Sequence, residues 1–528
     1  MRIFGCLIVL ALVILPIGAA DAASRITTKD GTVIIGDIES LQSNVYTIRT
    51  PYGAMRIPAA SVNKIEPTSE SAPQPAAQKQ GAPSSGAGER QSAAPSSGPL
   101  RFAGSNTIGA ELVPRLLEAY AAKLGAGDFE WRGEGEDRSL SAKGAGGAKF
   151  EADVAAHGSG TAAPALAAGK ADIGMMSRPI KDKEVASLAA VGFGQADKPG
   201  QEHVLALDGI VVVVNKANPV KALTLSQIQG LFSGEITDWS QVGGKPGPVQ
   251  VYSRDDKSGT FDTFKSLVLK DKKLVGSAKR YESHRELSDD VASDEHGIGF
   301  VGFAYVRNAH ALTVATDCGL SFEPAEYSVK TEEYPLARRL FLYTPQRATN
   351  GNADPFVDFA LSSAAQPTAE KEGFVSLLPQ TAGSGYVGQR IQQAAQSQED
   401  TSAEASRAFT QFTRAIAKGN RLSITYRFQT ASDALDSRAV RDIERLAEFL
   451  NLPENRGRKV LLAGFADPRG AIGRNVVLSR ARAEAVAAEL RKHGVNPEIE
   501  GFGPVAPVAC NDSEAGWAKN RRVEVWLQ

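Results

Sequence analysis

Cysteine is scarce: three in 528 residues, too few for a disulfide framework. The six histidines are scattered and match no metal-ligand spacing, so neither a metal site nor a cofactor is expected. Charge of one sign is also missing. Fifty-nine Lys and Arg stand against 60 Asp and Glu, a net charge of −1. No overall basic field would draw the chain to nucleic acid or anionic lipid, and any anion site must be assembled locally. Beyond the first residues no run approaches the roughly 18 apolar residues of a membrane span.

What is present reads as several domains. Arg2, the apolar run Leu7 to Ile17 and the small-x-small triplet Ala20-Asp21-Ala22 make residues 1–22 a secretory signal peptide. Cys6 lies in no lipobox, which leaves Cys318 and Cys510 after cleavage. Export permits their pairing, which would join two domains; two separate buried thiols are the alternative. Residues 25–66 alternate between apolar and polar positions with Gly punctuation, as a small all-β module does. Residues 67–99 are Pro, Ala, Ser, Gly and Gln with nothing to bury, a disordered linker. Residues 100–379 alternate strand-like and helical patterns, an α/β domain with a largely parallel sheet. Val204–Asn215 is its clearest buried strand. Residues 380–405 revert to linker composition, and 406–528 read as a compact α+β domain.

Three turns in the middle domain share one pattern of strand, Ser/Gly/Thr turn and helix. They are Gly104-Ser105-Asn106-Thr107, His157-Gly158-Ser159-Gly160-Thr161, and Arg254 followed by Ser258-Gly259-Thr260. Helix starts offer unpaired N–H groups, glycine allows close approach, and hydroxyls add donors. Arg254 supplies a planar fork suited to a tetrahedral oxyanion. Any one such turn is an ordinary N-cap. Three in one α/β domain converge where such folds bind ligands, at the strand C-terminal ends.

With Ala171-Asp172-Ile173-Gly174, Ser177-Arg178-Pro179, Phe232–Trp239 and Ile298–Gly302, these turns make residues 100–379 resemble the periplasmic phosphate-binding proteins of ABC importers. The resemblance implies two α/β lobes closing about a hinge. It implies phosphate contacts from Ser105, Thr107, Ser159, Arg254, Ser258, Gly259 and Thr260, with Ser177 as a further contact. In one place the chain departs from the family. Many members carry, just after that Ser, an Asp that accepts the proton of hydrogen phosphate and helps reject sulfate; here stands Arg178, which only donates. Another carboxylate serves, or Arg178 strengthens oxyanion binding, or it points elsewhere.

In the last domain, Arg482 falls about 40° from Leu478 and from Val486 on a helical wheel, inside an apolar stripe. Such an Arg needs a fixed anionic partner or ligand, or snorkels at the stripe edge. Asp467 lies on the loop leading into that helix, and an acid beside an Arg suits a zwitterionic amino acid. With Gly470, Asn475, Leu478-Ser479, Arg482-Ala483 and Asn520-Arg521-Arg522, the segment is similar to OmpA-like peptidoglycan-binding domains over roughly residues 420–528. That resemblance implies that Asp467 and Arg482 grip the diaminopimelate of the stem peptide and that Asn475 supports the loop. Ala466 replaces a Thr common in the family.

The expected molecule is therefore multidomain: a small β module, a two-lobed periplasmic-binding-protein fold and an OmpA-like domain. It is expected to bind phosphate or a similar oxyanion in the periplasm, held on peptidoglycan and associated with the wall and outer membrane. It would serve uptake, sequestration or sensing, with the membrane subunits of an ABC importer as candidate partners. A wall-bound scaffold with a degenerate or different-ligand domain is the alternative. A phosphatase finds no support, since no activated nucleophile or metal cluster stands out.

Overall fold

The computed structural model describes residues 24–28, 33–42, 45–50, 53–59, 62–67 and 98–528, apart from 145, 146, 148, 399, 401 and 429–434. The signal-peptide segment and nearly all of the 67–99 linker lie outside the described residues. Among the described residues no helix is long and apolar enough to cross a membrane.

Residues 24–67 form one antiparallel sheet, in the order Gly53–Pro58, Val45–Thr50, Val33–Gln42, Ser24–Thr28, Val62–Pro67. Alternation along the strands turns Ile26 and Ile48 to the inside, both fully buried.

Residues 98–528 make a second unit, separate from the first. The run Val204–Val214 lies in a 13-residue strand, Glu202–Val214, buried throughout from Val204 onward. A row of β-branched residues with no polar face can only be a central strand. Its first half pairs with Ala337–Tyr343 and its second half with Gly297–Gly302, so one strand passes through both lobes. Ala337–Tyr343 runs back alongside it. Both pairings are antiparallel, so the sheet is mixed and not largely parallel. A strand that bridges two lobes must be flanked by chain coming back the other way, and crossover connections survive only on either side of it. Those parallel parts are Ile173–Met176, Leu100–Gly104 and Lys149–Ala155 in the first lobe, and Lys279–Tyr281, Gln250–Arg254 and Gly297–Gly302 in the second. Their C-terminal ends carry the three turns.

In the C-terminal domain the strand order is Asn420–Arg427, Arg522–Leu527, Val460–Gly464, Glu498–Gly501. Helices Ser437–Asn451 and Ile472–Lys492 cover the sheet through Ile443, Leu446, Ala483, Val486 and Leu490.

Residues 380–405 do not behave as a linker. Gln380 and Ala382 pair through backbone hydrogen bonds with Ser423 and Arg421. Tyr386–Gln396 is a helix with Ala394 fully buried. Its Arg390, 2 % exposed, donates to the carbonyls of Ala506 and Pro507. Alanine and glutamine are good helix formers, and the face carrying Arg390, Ile391 and Ala394 docks on the domain behind it.

The C-terminal domain is also fastened to the binding domain. Cys318 and Cys510 are bonded to each other. Glu332 receives Arg339 of its own domain together with Arg427 and Arg438 from the C-terminal one. Ser437 donates to Glu202 at the start of the hinge strand, and Arg445 to the carbonyl of Leu361. The C-terminal domain thus touches the hinge strand and is covalently tied to the Cys318 turn.

Candidate functional site

Arg254 ends the strand Gln250–Arg254 and is fully buried. Nε donates to the carbonyl of Tyr281 at 3.1 Å, one terminal nitrogen to that of Glu282, and the other has no protein partner. No carboxylate forms an ion pair with it among the described residues. Burial pulls its pKa from the ordinary 12.5 to about 10, with Asp255 opposing the shift and Arg338 adding to it. A buried guanidinium is costly without a compensating anion.

Hydroxyls from the three turns lie against one another. Ser105, 1 % exposed, hydrogen-bonds through its N–H to Met175, while its Oγ has no partner. Thr107 Oγ1 lies 3.3 Å from Thr260 Oγ1, and Ser159 Oγ lies 3.3 Å from Ser177 Oγ. Ser258 caps the helix Gly259–Phe264, its Oγ accepting from the N–H groups of Thr260 and Phe261. Two glycines allow the loops to meet across the lobes. A Cβ on Gly158, whose φ is +101°, would sit 2.4 Å from the Lys257 carbonyl; one on Gly259 would sit 2.1 Å from Ser159 Oγ. The eight residues expected from the sequence therefore fall on strand ends, turns and first helical turns at the C-terminal side of the sheet. The helix after Ser105 is four residues long, and the one capped by Ser258 runs Gly259–Phe264 and continues as a π-helix to Leu269.

Three further residues belong to this cluster. Arg338 donates to Thr260 Oγ1 at 2.8 Å and pairs with Asp208, both buried. His284 sits with Nε2 3.0 Å from Thr107 Oγ1 and 3.3 Å from Thr260 Oγ1, stacked on Tyr305. Burial, and then Arg254 and Arg338, push its pKa well below 6.5, so it is neutral. No local motif marks these residues. Asp208 and Arg338 become legible only once the strands are in register, because they are direct cross-strand partners.

Arg178 points away from the cluster. Its guanidinium holds both oxygens of Glu184, one of Asp262 and the carbonyl of Pro179. Lys181 joins it on Asp262, across the lobes.

In the C-terminal domain Asp467 is 8 % exposed and receives Arg469 on both oxygens and Arg521 on one. Burial would raise its pKa, but these two arginines hold it below the usual carboxylate range. Asn475 donates to the carbonyls of Asp467 and Arg469 and so fixes the loop. Arg482 is 2 % exposed with its guanidinium 5.6 Å from the Phe428 ring. Arg469 and Arg521 were not singled out from sequence; Arg521 stood in the matched motif without a role.

Comparison with known proteins gives a family match for each of the two parts of the chain. Residues 92–364 match the PBP superfamily domain, and residues 427–521 match the OmpA family. Protein SphX of Synechococcus elongatus is 35% identical over 221 residues, 40% of this chain and 64% of that protein. The phosphate-binding protein PstS of Pseudomonas aeruginosa is 31% identical over 242 residues, 42% of this chain and 73% of the relative. PstS of Staphylococcus saprophyticus is 31% identical over 297 residues, 52% and 89% of the two chains. A putative phosphate ABC transporter substrate-binding protein of Clostridium perfringens, solved with bound phosphate, superposes with a TM-score of 0.43 at 26% identity, covering 53% of this chain and 99% of that one. The chain belongs to the PBP superfamily, in the family of the PstS and SphX proteins, with a domain of the OmpA family fused behind it.

Proposed function

We propose that this protein binds phosphate between its two lobes and is held on peptidoglycan by its C-terminal domain. The observation that carries the first half is Arg254: a fully buried cation with no ion-pair partner among the described residues and one nitrogen unpartnered. An oxyanion supplies the missing charge and accepts those donors. The relatives named for phosphate binding support the same ligand. Lobe closure is supported by Asn106, which donates to the Glu282 carbonyl at 2.9 Å, and by the Arg285–Glu111 pair.

Binding without catalysis is the reading favoured for the cleft. Gly302 N–H donates to His284 Nδ1, so the ring carries its proton on Nε2 and is no base toward Thr107.

For the C-terminal domain, Asp467 takes the ammonium and Arg482 the carboxylate of a diaminopimelate stem, with Asn475 holding the loop. Because Arg469 and Arg521 already occupy Asp467, the ligand ammonium joins or displaces the half-exposed Arg469. The place of action is the periplasm at the wall. Capture or sensing fits a tethered protein, and delivery to ABC importer subunits is the further possibility that co-purification decides.

Two measurements on the full chain test this. Calorimetric titration should show one phosphate per chain. Sedimentation with diaminopimelate-type peptidoglycan should be lost in Asp467→Ala and Arg482→Ala, with folding verified by circular dichroism and phosphate binding retained. Retained sedimentation overturns the anchor; absent phosphate binding in the parent overturns the receptor.

A further inference from the structure

A cavity of about 1070 Å³ lies where the two lobes and the C-terminal domain meet. Ile180 and Lys181 of the first lobe, Ser266 and Leu267 of the second, and Phe428 and Arg521 of the C-terminal domain stand on its walls. Small-ligand sites enclose about 300–1,000 Å³, so this one is roomy. Apolar side chains and charges of both signs share the lining, which suits a peptide better than a bare ion.

The C-terminal wall adjoins the anchor. Arg521, its side chain 4 % exposed, donates to Asp467 at 3.2 Å, and the Phe428 ring lies 5.6 Å from the Arg482 guanidinium. Asp467 and Arg482 therefore each have a residue of the cavity wall as a direct neighbour.

Lys519, two residues before Arg521, also lines the cavity. Its Nζ donates to the carbonyls of Tyr334 and Pro335 at 3.2 and 3.4 Å, and no carboxylate pairs with it among the described residues. Burial and then Arg427 pull its pKa from 10.5 to about 8, with Glu332 and Glu333 opposing the shift. The neighbouring cations are served. Arg427 has Glu332, Arg339 has Glu332 and Asp436, and Arg178 and Lys181 share Asp262. An added carboxylate gains most at Lys519.

We infer that the stem peptide runs from Asp467 and Arg482 into this cavity, and that the carboxylate of the glutamyl residue preceding diaminopimelate seats on Lys519. This rests on the anchor reading given above and extends it: the site takes a short acidic peptide, and the binding domain supplies part of its wall. The peptide then lies against both lobes, beside the 2.8 Å pair of Lys181 and Asp262 that joins them.

The experiment is calorimetric titration of the full chain with the tripeptide alanyl-γ-glutamyl-diaminopimelate and, separately, with the same peptide amidated at the glutamyl carboxyl group. The acid form should bind about 10-fold more tightly than the amide. Lys519→Met should erase that difference, its loss confined to the acid form. Ser266 is exposed on the second lobe, far from the anchor in sequence. Ser266→Trp fills part of the cavity and should weaken both peptides by about 10-fold or more, with phosphate titration showing the fold intact. Binding of neither peptide by the parent overturns the anchor reading itself. Binding that is indifferent to amidation and to both substitutions overturns this inference and leaves the anchor standing. Equal loss of both peptides in Lys519→Met marks a structural lysine and overturns its assignment.

Discussion

The arginines at the domain seam and Arg254 in the cleft differ in their counter-ions. At the seam between the binding and C-terminal domains every one meets a carboxylate. Arg339, Arg427 and Arg438 converge on Glu332, while Arg390, Arg421 and Arg522 surround Glu524, with Arg421 also on Glu333. In the cleft Arg254 meets backbone carbonyls only, with one nitrogen left without a partner. A cluster neutralised from within is architecture, and its residues lose stability when one partner goes. A cluster left positive is unfinished, and completing it is the business of a guest.

The largest effect expected is at the seam. The Cys318–Cys510 bond spans 192 residues of sequence, and chain-entropy reasoning assigns such a cross-link about 5 kcal/mol. Cys510→Ser should lower the urea midpoint of residues 98–528 accordingly, read by tryptophan fluorescence. Next comes Glu332→Gln, which leaves Arg427 without a carboxylate, while Arg339 keeps Asp436 and Arg438 keeps Asp442, and should cost about 3 kcal/mol while sparing phosphate affinity. This pairing also has a pH signature. Burial would raise the Glu332 carboxyl, but Arg339, Arg438 and Arg427 hold it well below its ordinary 4.5. A depressed folded pKa gives stability that is full above the unfolded carboxylate range and is lost as pH falls through the folded value. The gap between parent and Glu332→Gln should stay constant above about pH 5 and shrink in acid.

Arg254→Met should move the other way. Phosphate affinity falls by about 2–5 kcal/mol, roughly 30-fold or more, yet the ligand-free melting temperature holds or rises, because a buried cation without a partner is removed. A large loss of ligand-free stability would erase the contrast between the two settings. The smallest effect on the ligand is that of Arg178→Asp. Its side chain lies outside the cleft, so the ratio of phosphate to sulfate affinity should not change; thermal stability should drop by about 1–3 kcal/mol as a third carboxylate joins Glu184 and Asp262.

How much of this was legible in the sequence depended on whether the signal was local. The turns at Ser105, Ser159 and Ser258 carry hydroxyl, glycine and helix start within a few residues, and Arg254 lies four residues from Ser258. Asp208, His284 and Arg338 are separated by 76 and 54 residues of chain, and only the pairing of Glu202–Val214 with Ala337–Tyr343 brings the first and last together. Residues 380–405 misled because their glutamines and alanines serve a linker and a helix equally well; the docked face of Tyr386–Gln396 decides between them. The disulfide left no trace, since two cysteines 192 residues apart say nothing of their distance in space.

A domain joined to its neighbour at one point can swivel in any direction; a second covalent attachment removes most of that freedom. Here the backbone near residue 380 is one attachment and the Cys318–Cys510 bond is the other. On the proposed reading, force applied at Asp467 and Arg482 is shared between these two routes, one leading into the end of the binding domain and the other into the Cys318 turn. The cleft then keeps a fixed bearing toward whatever the C-terminal domain holds, and cutting the sulfur route would leave that bearing to the backbone and to the ion pairs on Glu332 and Glu333.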